Sequence, residues 1–232
     1  MQYLGGKYRM RKWVAKHVVA RSQYRGDTNG VYVEPFVGSG AIFRELAPKF
    51  RIAHANDACV DLMLMWKALS EGWKPPFISD EDARRLKDSP SSPERGFAGF
   101  FCAYRGLWFG GYAGAERVRL AMADAVKIGR GFVGANFHAL HYQELDELVE
   151  RGATVYCDPP YVDTHQAYGY RQAFNTLEFW GVMDRWYERG AVIIVSETSA
   201  PKHWRVLASK TTKMTIGTAE VSPTRFEFLF TR

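Results

Sequence analysis

Two kinds of hydrophobic pattern alternate in the first and last thirds of the chain. Short runs of β-branched and small apolar residues end at polar positions, which is typical of buried strands, and stretches with helical spacing lie between them. The predicted strands are residues 31–34, 51–55, 132–141, 155–157, 191–196 and 225–230, and the predicted helices are residues 41–46, 60–69, 143–150 and 176–188, preceded by a helix within residues 1–25. Strands that alternate with helices predict a parallel α/β sheet. The β-branched run at 191–196 fits the centre of that sheet, covered on both faces.

The middle of the chain breaks this alternation. Gly72 and Pro75-Pro76 interrupt the pattern, and residues 80–131 contain helical patches and glycine-aromatic loops without a predicted strand. We therefore expect one α/β domain, residues 1–71 and 132–232, with a mainly helical inserted subdomain, residues 72–131. The sheet is predicted to be Rossmann-like and mostly parallel, with an antiparallel C-terminal strand.

The strand at 155–157 ends at Asp158-Pro159-Pro160-Tyr161. The two prolines fix φ, offer no backbone N–H and keep Asp158 out of the helical region. A carboxylate, the free carbonyl of Pro159 and the ring of Tyr161 suit a planar group with an exocyclic amine. The amine would donate to the carboxylate and the carbonyl, while the ring covers its face. The alternative interpretation is an ordinary turn that ends a strand, since Asp-Pro often opens turns.

Three acidic residues stand at the ends of predicted strands: Glu34, Asp57 and Asp158. In an open parallel sheet, ligands bind outside the carboxyl ends of the strands, and Gly38-Ser39-Gly40 lets the backbone approach a ligand closely. This turn lacks the third glycine of the dinucleotide fingerprint, and Gly6-Lys7 has no preceding strand, which disfavours a P-loop. Acids without a phosphate cradle favour a nucleoside ligand, and S-adenosylmethionine fits that description.

The charge distribution favours an anionic partner. The 232-residue chain has a formal net charge of +6, and residues 1–26 hold seven basic residues and no acidic one. This balance is typical of nucleic-acid binding, although a solvated basic helix face has the same composition. The three cysteines are scattered and the six histidines show no ligand spacing, so neither a disulfide framework nor a metal site is expected. No apolar run reaches the ~20 residues that span a membrane, and we expect a cytoplasmic protein, monomeric or weakly dimeric.

Four motifs occur in an order that resembles one enzyme family. They are Tyr3-Leu4-Gly5-Gly6-Lys7, Glu34-Pro35-Phe36-Val37-Gly38-Ser39-Gly40, Asn56-Asp57 and Asp158-Pro159-Pro160-Tyr161. Together they resemble the amino-group DNA methyltransferases and, more narrowly, the Dam-like adenine enzymes and their phage relatives. The resemblance spans nearly the whole chain and is weakest over residues 72–131. It implies a class I methyltransferase fold, S-adenosylmethionine as cofactor and double-stranded DNA as partner.

The resemblance also implies roles for individual residues. The cofactor-binding residues would be Tyr3, Gly6, Lys7, Glu34, Pro35, Phe36, Gly38, Gly40, Asp57 and Asp158, with Asp57 on the ribose. The catalytic residues would be Asp158, Pro159, Pro160 and Tyr161, acting on N6 of an adenine flipped out of the duplex while residues 162–175 close over it. Near the cofactor adenine the family often has an acid followed by an aromatic residue. This chain has His141-Tyr142 there, and we expect His141 to be structural.

Arginines are interleaved with aromatic residues in the predicted insertion, a composition that suits phosphate contacts and wedging between base steps. Together with the basic N-terminal segment, it predicts a DNA-binding set. That set is Arg9, Arg11, Lys12, Tyr104, Arg105, Trp108, Arg117 and Arg119. About half of the aromatic residues of the insertion are expected to form its own small core instead.

The leading hypothesis is a site-specific DNA adenine-N6 methyltransferase that needs no metal. The nearest alternative is methylation of another amine, such as cytosine N4, RNA adenine or a protein glutamine, and the acid before Pro-Pro-Tyr favours adenine. A catalytically silent DNA-binding module on the same fold is the alternative from another class. The intact Asp158 and the glycine turn argue against such a module. The motifs leave a role in restriction–modification open.

Overall fold

The structure is a computed structural model that describes residues 7–26, 28–160, 174–213 and 224–232. Within these ranges it contains a seven-stranded sheet and seven α-helices. The strands are β1 (Val31–Glu34), β2 (Ile52–Asn56), β3 (Asn136–His138), β4 (Thr154–Cys157), β5 (Val192–Glu197), β6 (Arg205–Lys213) and β7 (Thr224–Thr231). The helices are α1 (Arg11–Arg25), α2 (Phe43–Leu46), α3 (Val60–Ser70), α4 (Asp80–Lys87), α5 (Pro93–Phe100), α6 (Ala115–Gly129) and α7 (Thr176–Glu188). None of the helices in these ranges is long and apolar enough to cross a membrane.

The strand order is β3-β2-β1-β4-β5-β7-β6. The first five strands of this order pair in parallel, and β7 pairs antiparallel with both β5 and β6. This confirms the predicted mostly parallel α/β sheet with an antiparallel C-terminal strand. The sequence-based prediction missed β6, because this edge strand is rich in basic and hydroxyl residues and shows no apolar alternation. As a result, β7 lies inside the sheet between β5 and β6.

The strand predicted over residues 132–141 is wrong in length, since only Asn136–His138 pair with a neighbouring strand. Residues 130–132 form a 3₁₀ turn, and Gly134 then takes a left-handed conformation with φ of 81°. Extended pairing cannot continue through this turn, so β3 is a short edge strand.

The helix predicted over residues 143–150 is replaced by a 3₁₀ turn, Tyr142–Leu145. The next residue, Asp146, accepts hydrogen bonds from the Trp186 indole at 2.7 Å and from the Arg185 guanidinium at 3.1 Å. This segment is therefore held by contacts with α7, and not by the backbone hydrogen bonds of a helix.

The sheet is covered on both faces. Neighbouring residues of β4, Val155 and Tyr156, belong to separate buried clusters, one on each face. The Tyr156 face packs against α1 and α3, through Val14 and Trp66 among others, and the Val155 face packs against α7, through Met183 among others. All six residues of β5 are buried, as predicted for a central strand.

Helices α4 to α6 lie in the stretch predicted as an insertion. A Cβ atom placed on Gly96 of α5 would lie 2.3 Å from the carbonyl oxygen of Asp61 in α3, so these two helices are in close backbone contact. Phe97 of α5 and Val118 of α6 join the buried cluster that contains Trp66. The helices therefore share a core with the sheet, and the division of the chain at residues 72 and 131 stays a prediction.

The substitution Gly96→Ala is expected to destabilise the protein by roughly 1–3 kcal/mol, because the new methyl group meets a backbone oxygen that cannot move aside. Gly181 of α7 is the matched control. A Cβ atom there meets nothing within 4 Å, so Gly181→Ala should be neutral or stabilising by up to roughly 1 kcal/mol through helix propensity. Urea unfolding of both variants measures the difference, and equal stability would contradict the close contact between α3 and α5.

Candidate active site

Strand pleating places polar residues on one face of the sheet at its carboxyl edge. Tyr156, Ile194 and Leu229 lie in the same buried cluster, and residues two apart on a strand share a face. Two residues further toward this edge, the chain reaches Asp158 after β4 and Ser196 in β5. Because β7 runs antiparallel, the residue that it brings to this edge is Glu227, two positions before Leu229. The polar residues of this face and edge are Glu34, Asp158, Ser196 and Glu227.

The strand order reverses direction between β1 and β4. The chain passes from β1 to β2 on one side, while β4 and β5 lie on the other side. In open α/β sheets, a ligand crevice forms outside the carboxyl ends of the strands at such a switch point. Glu34 ends β1 and Asp158 follows β4, so both acids flank this crevice.

Glu34 is a buried acid, with 2% of its surface exposed. The hydroxyl of Tyr32, on the same strand, donates a hydrogen bond to its carboxylate at 2.5 Å. Burial raises the pKa of Glu34 well above its usual range; the Tyr32 hydrogen bond opposes this effect, and the charges of Asp158 and Asp57 add to it. The surroundings of Glu34 therefore disfavour its charged form, which a nearby positive charge would stabilise.

The turn after β1 is braced by Asp57. Gly38 and Gly40 have φ of 45° and 65°, left-handed conformations that favour glycine. The Asp57 carboxylate accepts hydrogen bonds from the N–H groups of Gly38 and Cys59, each at 3.0 Å, and the Trp66 indole donates to the Gly38 carbonyl at 3.0 Å. Burial raises the pKa of Asp57 to about 6, while the two backbone N–H groups lower it. Asp57 thus fixes the turn that is predicted to lie under the cofactor.

Asn56 joins the ends of three neighbouring strands. Its side-chain amide donates to the carbonyl groups of Pro35 at 2.9 Å and Leu140 at 3.0 Å, and its side-chain oxygen accepts from the N–H of Leu140 at 3.0 Å. Its backbone carbonyl accepts from Val37 at 2.8 Å. Asn56 is fully buried. It was absent from the predicted site residues, although a polar amide at an apolar strand end was an available signal.

Asp158 lies beside an ammonium group and near two further carboxylates. Lys7 Nζ is 3.3 Å from Asp158 Oδ1 and 2.5 Å from Glu227 Oε1. Burial raises the pKa of Asp158 to about 6; Lys7 lowers it, and the charges of Glu227 and Glu197 raise it. At neutral pH Asp158 is therefore ionised. Its Oδ1 is buried and accepts no hydrogen bond from the residues that the structure describes.

Glu227 and Ser196 complete this group and were missed in the sequence-based prediction. The Ser196 hydroxyl donates to Glu227 Oε1 at 2.5 Å. Glu227 has 3% of its surface exposed whereas its neighbour Phe226 has 56%, the reverse of what their polarity predicts. An acid inside an otherwise apolar C-terminal strand was the available signal. In the part of the chain that the structure describes, no group of three or more His, Cys, Asp or Glu side chains is arranged to hold a metal ion.

Phe36, which follows β1, packs in an aromatic group on the α7 side of the sheet. Its ring centroid lies 5.4 Å from that of Tyr142 and 5.9 Å from that of Phe179. The neighbouring His141 donates its backbone N–H to the Glu144 carboxylate at 2.8 Å, and its ring lies 4.5 Å from Tyr142. These contacts are of the structural kind expected for His141.

Some of the predicted site residues lie outside the described part of the chain. These are Tyr3, Gly6, Tyr161 and residues 162–173 of the predicted closing loop, together with the side chain of Arg105. Pro159 is buried and Pro160 is half-buried directly after β4. The predicted catalytic residues that the structure describes, Asp158, Pro159 and Pro160, therefore stand at the end of one strand.

The basic residues at the start of α1 differ in their surroundings. Arg9 and Lys12 are exposed. The guanidinium of Arg11 pairs with Glu45 at 2.7 Å and donates to the Tyr8 carbonyl at 2.8 Å. Arg11 is thus engaged within the protein, whereas Arg9 and Lys12 present their charges to solvent.

The predicted DNA-binding residues of the middle segment are also of two kinds. Tyr104, Arg117 and Arg119 are exposed. Trp108 is half-buried, and its ring lies 4.7 Å from that of Phe100. These contacts give Trp108 a packing role in this segment, and its predicted contact with DNA stays a prediction.

Comparison with known families supports the resemblance seen in the motifs. Residues 3–98, under half of the chain, match the model of the family described as D12 class N6 adenine-specific DNA methyltransferase. The matched stretch holds Lys7, the turn at 34–40 and Asp57, and it ends before Asp158. The match confirms the predicted resemblance to the Dam-like enzymes and supports DNA methyltransferase activity. No curated protein matches the chain.

The substitution Asn56→Ala is expected to destabilise the protein by roughly 2–4 kcal/mol, because it leaves several buried backbone groups without a partner. Asn136, exposed on the edge strand β3, is the matched control, and Asn136→Ala should change stability by less than about 0.5 kcal/mol. Denaturant unfolding of both variants provides the comparison. A similar small loss in both would show that Asn56 does not hold the strand ends together.

Proposed function

We propose that this chain, a relative of the D12 class adenine methyltransferases over residues 3–98, transfers a methyl group from S-adenosylmethionine to N6 of an adenine flipped out of duplex DNA. The observation that carries the proposal is the state of Asp158. Its Oδ1 is buried at the crevice and accepts no hydrogen bond from the described residues. A buried acceptor without a donor is costly, and the exocyclic amine of adenine would supply that donor.

The described crevice residues fit S-adenosylmethionine. Carboxylates suit its cationic sulfonium and amino groups and its ribose hydroxyls, and the crevice has Glu34, Asp57 and Asp158. The N–H groups of Gly38 and Gly40 donate to Asp57 and to the Val37 carbonyl, so the turn does not present them as a phosphate cradle. When bound, the cofactor supplies a methyl group on a positively charged sulfur. We assign its binding to the ten cofactor residues predicted from the resemblance, with Asp57 on the ribose.

The residues after β4 act on the target amine. The lone pair of this amine is delocalised into the base, which makes it a poor nucleophile. Asp158 and the Pro159 carbonyl would accept hydrogen bonds from its two N–H groups and so concentrate the lone pair on nitrogen. Pro159 and Pro160 offer no N–H that competes for these acceptors. The remaining acceleration would come from holding the nitrogen in line with the methyl group, with Tyr161 stacked on the flipped base.

Incubation of the protein with methyl-labelled S-adenosylmethionine and duplex DNA tests the proposal. Digestion of the DNA to nucleosides should place the label in N6-methyladenine. Label in N4-methylcytosine, or transfer to RNA in place of DNA, would reassign the substrate. No label on diverse DNA at saturating cofactor would reject the proposed activity and favour a silent DNA-binding module.

The variant Asp158→Asn keeps the shape of the side chain but removes its charge and one acceptor oxygen. We expect its kcat to fall on the order of 10²–10⁴-fold while its affinity for DNA stays within a few-fold of the parent. Glu188→Gln is the control and should leave kcat unchanged, because Glu188 ends α7 and pairs with Arg232. Unaltered turnover in Asp158→Asn would remove this residue from the mechanism.

We further propose that Arg9 and Lys12 contact DNA phosphates, because both charges are exposed at the start of α1. Plotted as log affinity against log salt concentration, binding has a negative slope. Replacement of Arg9 and Lys12 by glutamine should make this slope less steep by about 0.9 per residue. Arg11→Gln is the matched control, since its guanidinium already pairs with Glu45, and it should change the slope less. Fluorescence anisotropy with labelled duplex at several salt concentrations measures these slopes. An unchanged slope in the double variant would return Arg9 and Lys12 to a solvated helix face.

A further inference from the structure

Lys7 is shared unequally between two acids. Its Nζ donates a hydrogen bond to Glu227 Oε1 at 2.5 Å but stands 3.3 Å from Asp158 Oδ1, where the geometry is that of an ion pair only. The Ser196 hydroxyl donates to the same oxygen of Glu227. Lys7 and Glu227 have 7% and 3% of their surfaces exposed, so solvent does not screen their interaction.

This arrangement joins three separate parts of the chain. Lys7 precedes α1, Asp158 follows β4, and Glu227 lies on β7, the strand that enters the sheet antiparallel. No motif identified in the sequence contains Glu227. Its position opposite the catalytic acid therefore requires its own explanation.

We propose that Glu227 is a positioning residue for methyl transfer, which holds the ammonium of Lys7 away from Asp158 and so leaves Asp158 Oδ1 free to accept a hydrogen bond from the target amine. The proposal rests on the proposed function of the crevice. Without the charge of Glu227, the ammonium of Lys7 would move toward Asp158 and donate to Oδ1. The acceptor that the amine needs would then be occupied.

The charges around Asp158 also affect its pKa. The titratable groups that interact electrostatically with it are Lys7 before α1, Glu227 on β7, Glu197 on β5 and Glu34 on β1, with Tyr156 and Cys157 on β4. Burial, Glu227 and Glu197 raise the pKa of Asp158, and Lys7 lowers it. Glu227→Gln removes one raising charge and the acid that stands nearest to Lys7. The pKa of Asp158 should therefore fall in this variant.

The pH dependence of methyl transfer separates this role from a merely structural one. Asp158 acts as a carboxylate, so activity in the parent is present above a pH of about 6 and is lost as the pH falls through that value. In Glu227→Gln we expect this acidic limb to move to lower pH by on the order of one unit. At the same time the plateau rate should drop by roughly tenfold or more, because Lys7 then occupies the acceptor. Glu227→Asp keeps the charge and should keep the limb in place, with a plateau between the two.

The experiment measures kcat/KM of labelled methyl transfer from roughly pH 5 to 9 for the parent, both Glu227 variants and the Glu188→Gln control. A lower plateau without movement of the limb in Glu227→Gln would reduce Glu227 to a structural residue, and an unchanged plateau would also overturn the proposal. If Glu227→Gln does not fold, Glu227→Asp carries the test, and a parent-like plateau in that variant overturns the proposal.

A readout independent of activity separates this inference from the proposed function. Carbon-13 NMR titration of the Asp158 carboxyl group in the parent and in Glu227→Gln reports its protonation directly. A lower midpoint in the variant supports the proposal even if the parent transfers no methyl group, a result that would reject the proposed function alone. An unchanged midpoint overturns the inference in either case.

Discussion

The ammonium of Lys7 makes the acidic edge of the sheet possible. Removing a carboxylate from water carries a penalty of several kcal/mol, and a buried acid stays ionised only with a close cation or several donors. Lys7 lies within 3.3 Å of both Asp158 and Glu227. With this cation in place, the pKa of Asp158 is about 6, so the acid remains charged at neutral pH. The fold thereby keeps a charged acceptor whose Oδ1 is buried, as the proposed contact with an uncharged amine requires.

The sheet supplies the precision of this arrangement. Parallel pairing brings the ends of β1 and β4 side by side at the switch point, and pleating directs Glu34 and Asp158 to the same face. Asn56 binds the ends of β1 and β2 and the segment after β3, so these ends cannot separate without losing buried hydrogen bonds. Functional groups carried on strands are held more exactly than groups on loops. The position of the crevice is therefore set by the strand order.

Much of the fold followed from local patterns. Short runs of β-branched and small apolar residues predicted β1, β2 and β5 to within about two residues. The apolar spacing predicted α7 with the bounds that the structure shows, Thr176–Glu188. The prediction failed where local pattern and tertiary contact differ. Strand β6 lies at the edge of the sheet and pairs only with β7, and its sequence is polar. The segment after Tyr142 is held in place by the hydrogen bond between Asp146 and Trp186 of α7, and it does not form the helix that its apolar spacing predicted.

The sequence by itself determined which chemistry stands at which strand end. Gly38 and Gly40 in left-handed conformations and two prolines after Asp158 are local constraints, which act through φ and missing donors whatever the rest of the chain does. Only the tertiary structure decided that Glu227 would meet Lys7, 220 residues away along the chain. Alternation within a strand indicates two faces, but it carries no information on which neighbour the strand chooses or in which direction it runs. In the folded protein β7 lies antiparallel between β5 and β6, and this position brings Glu227 close to Lys7 and Asp158.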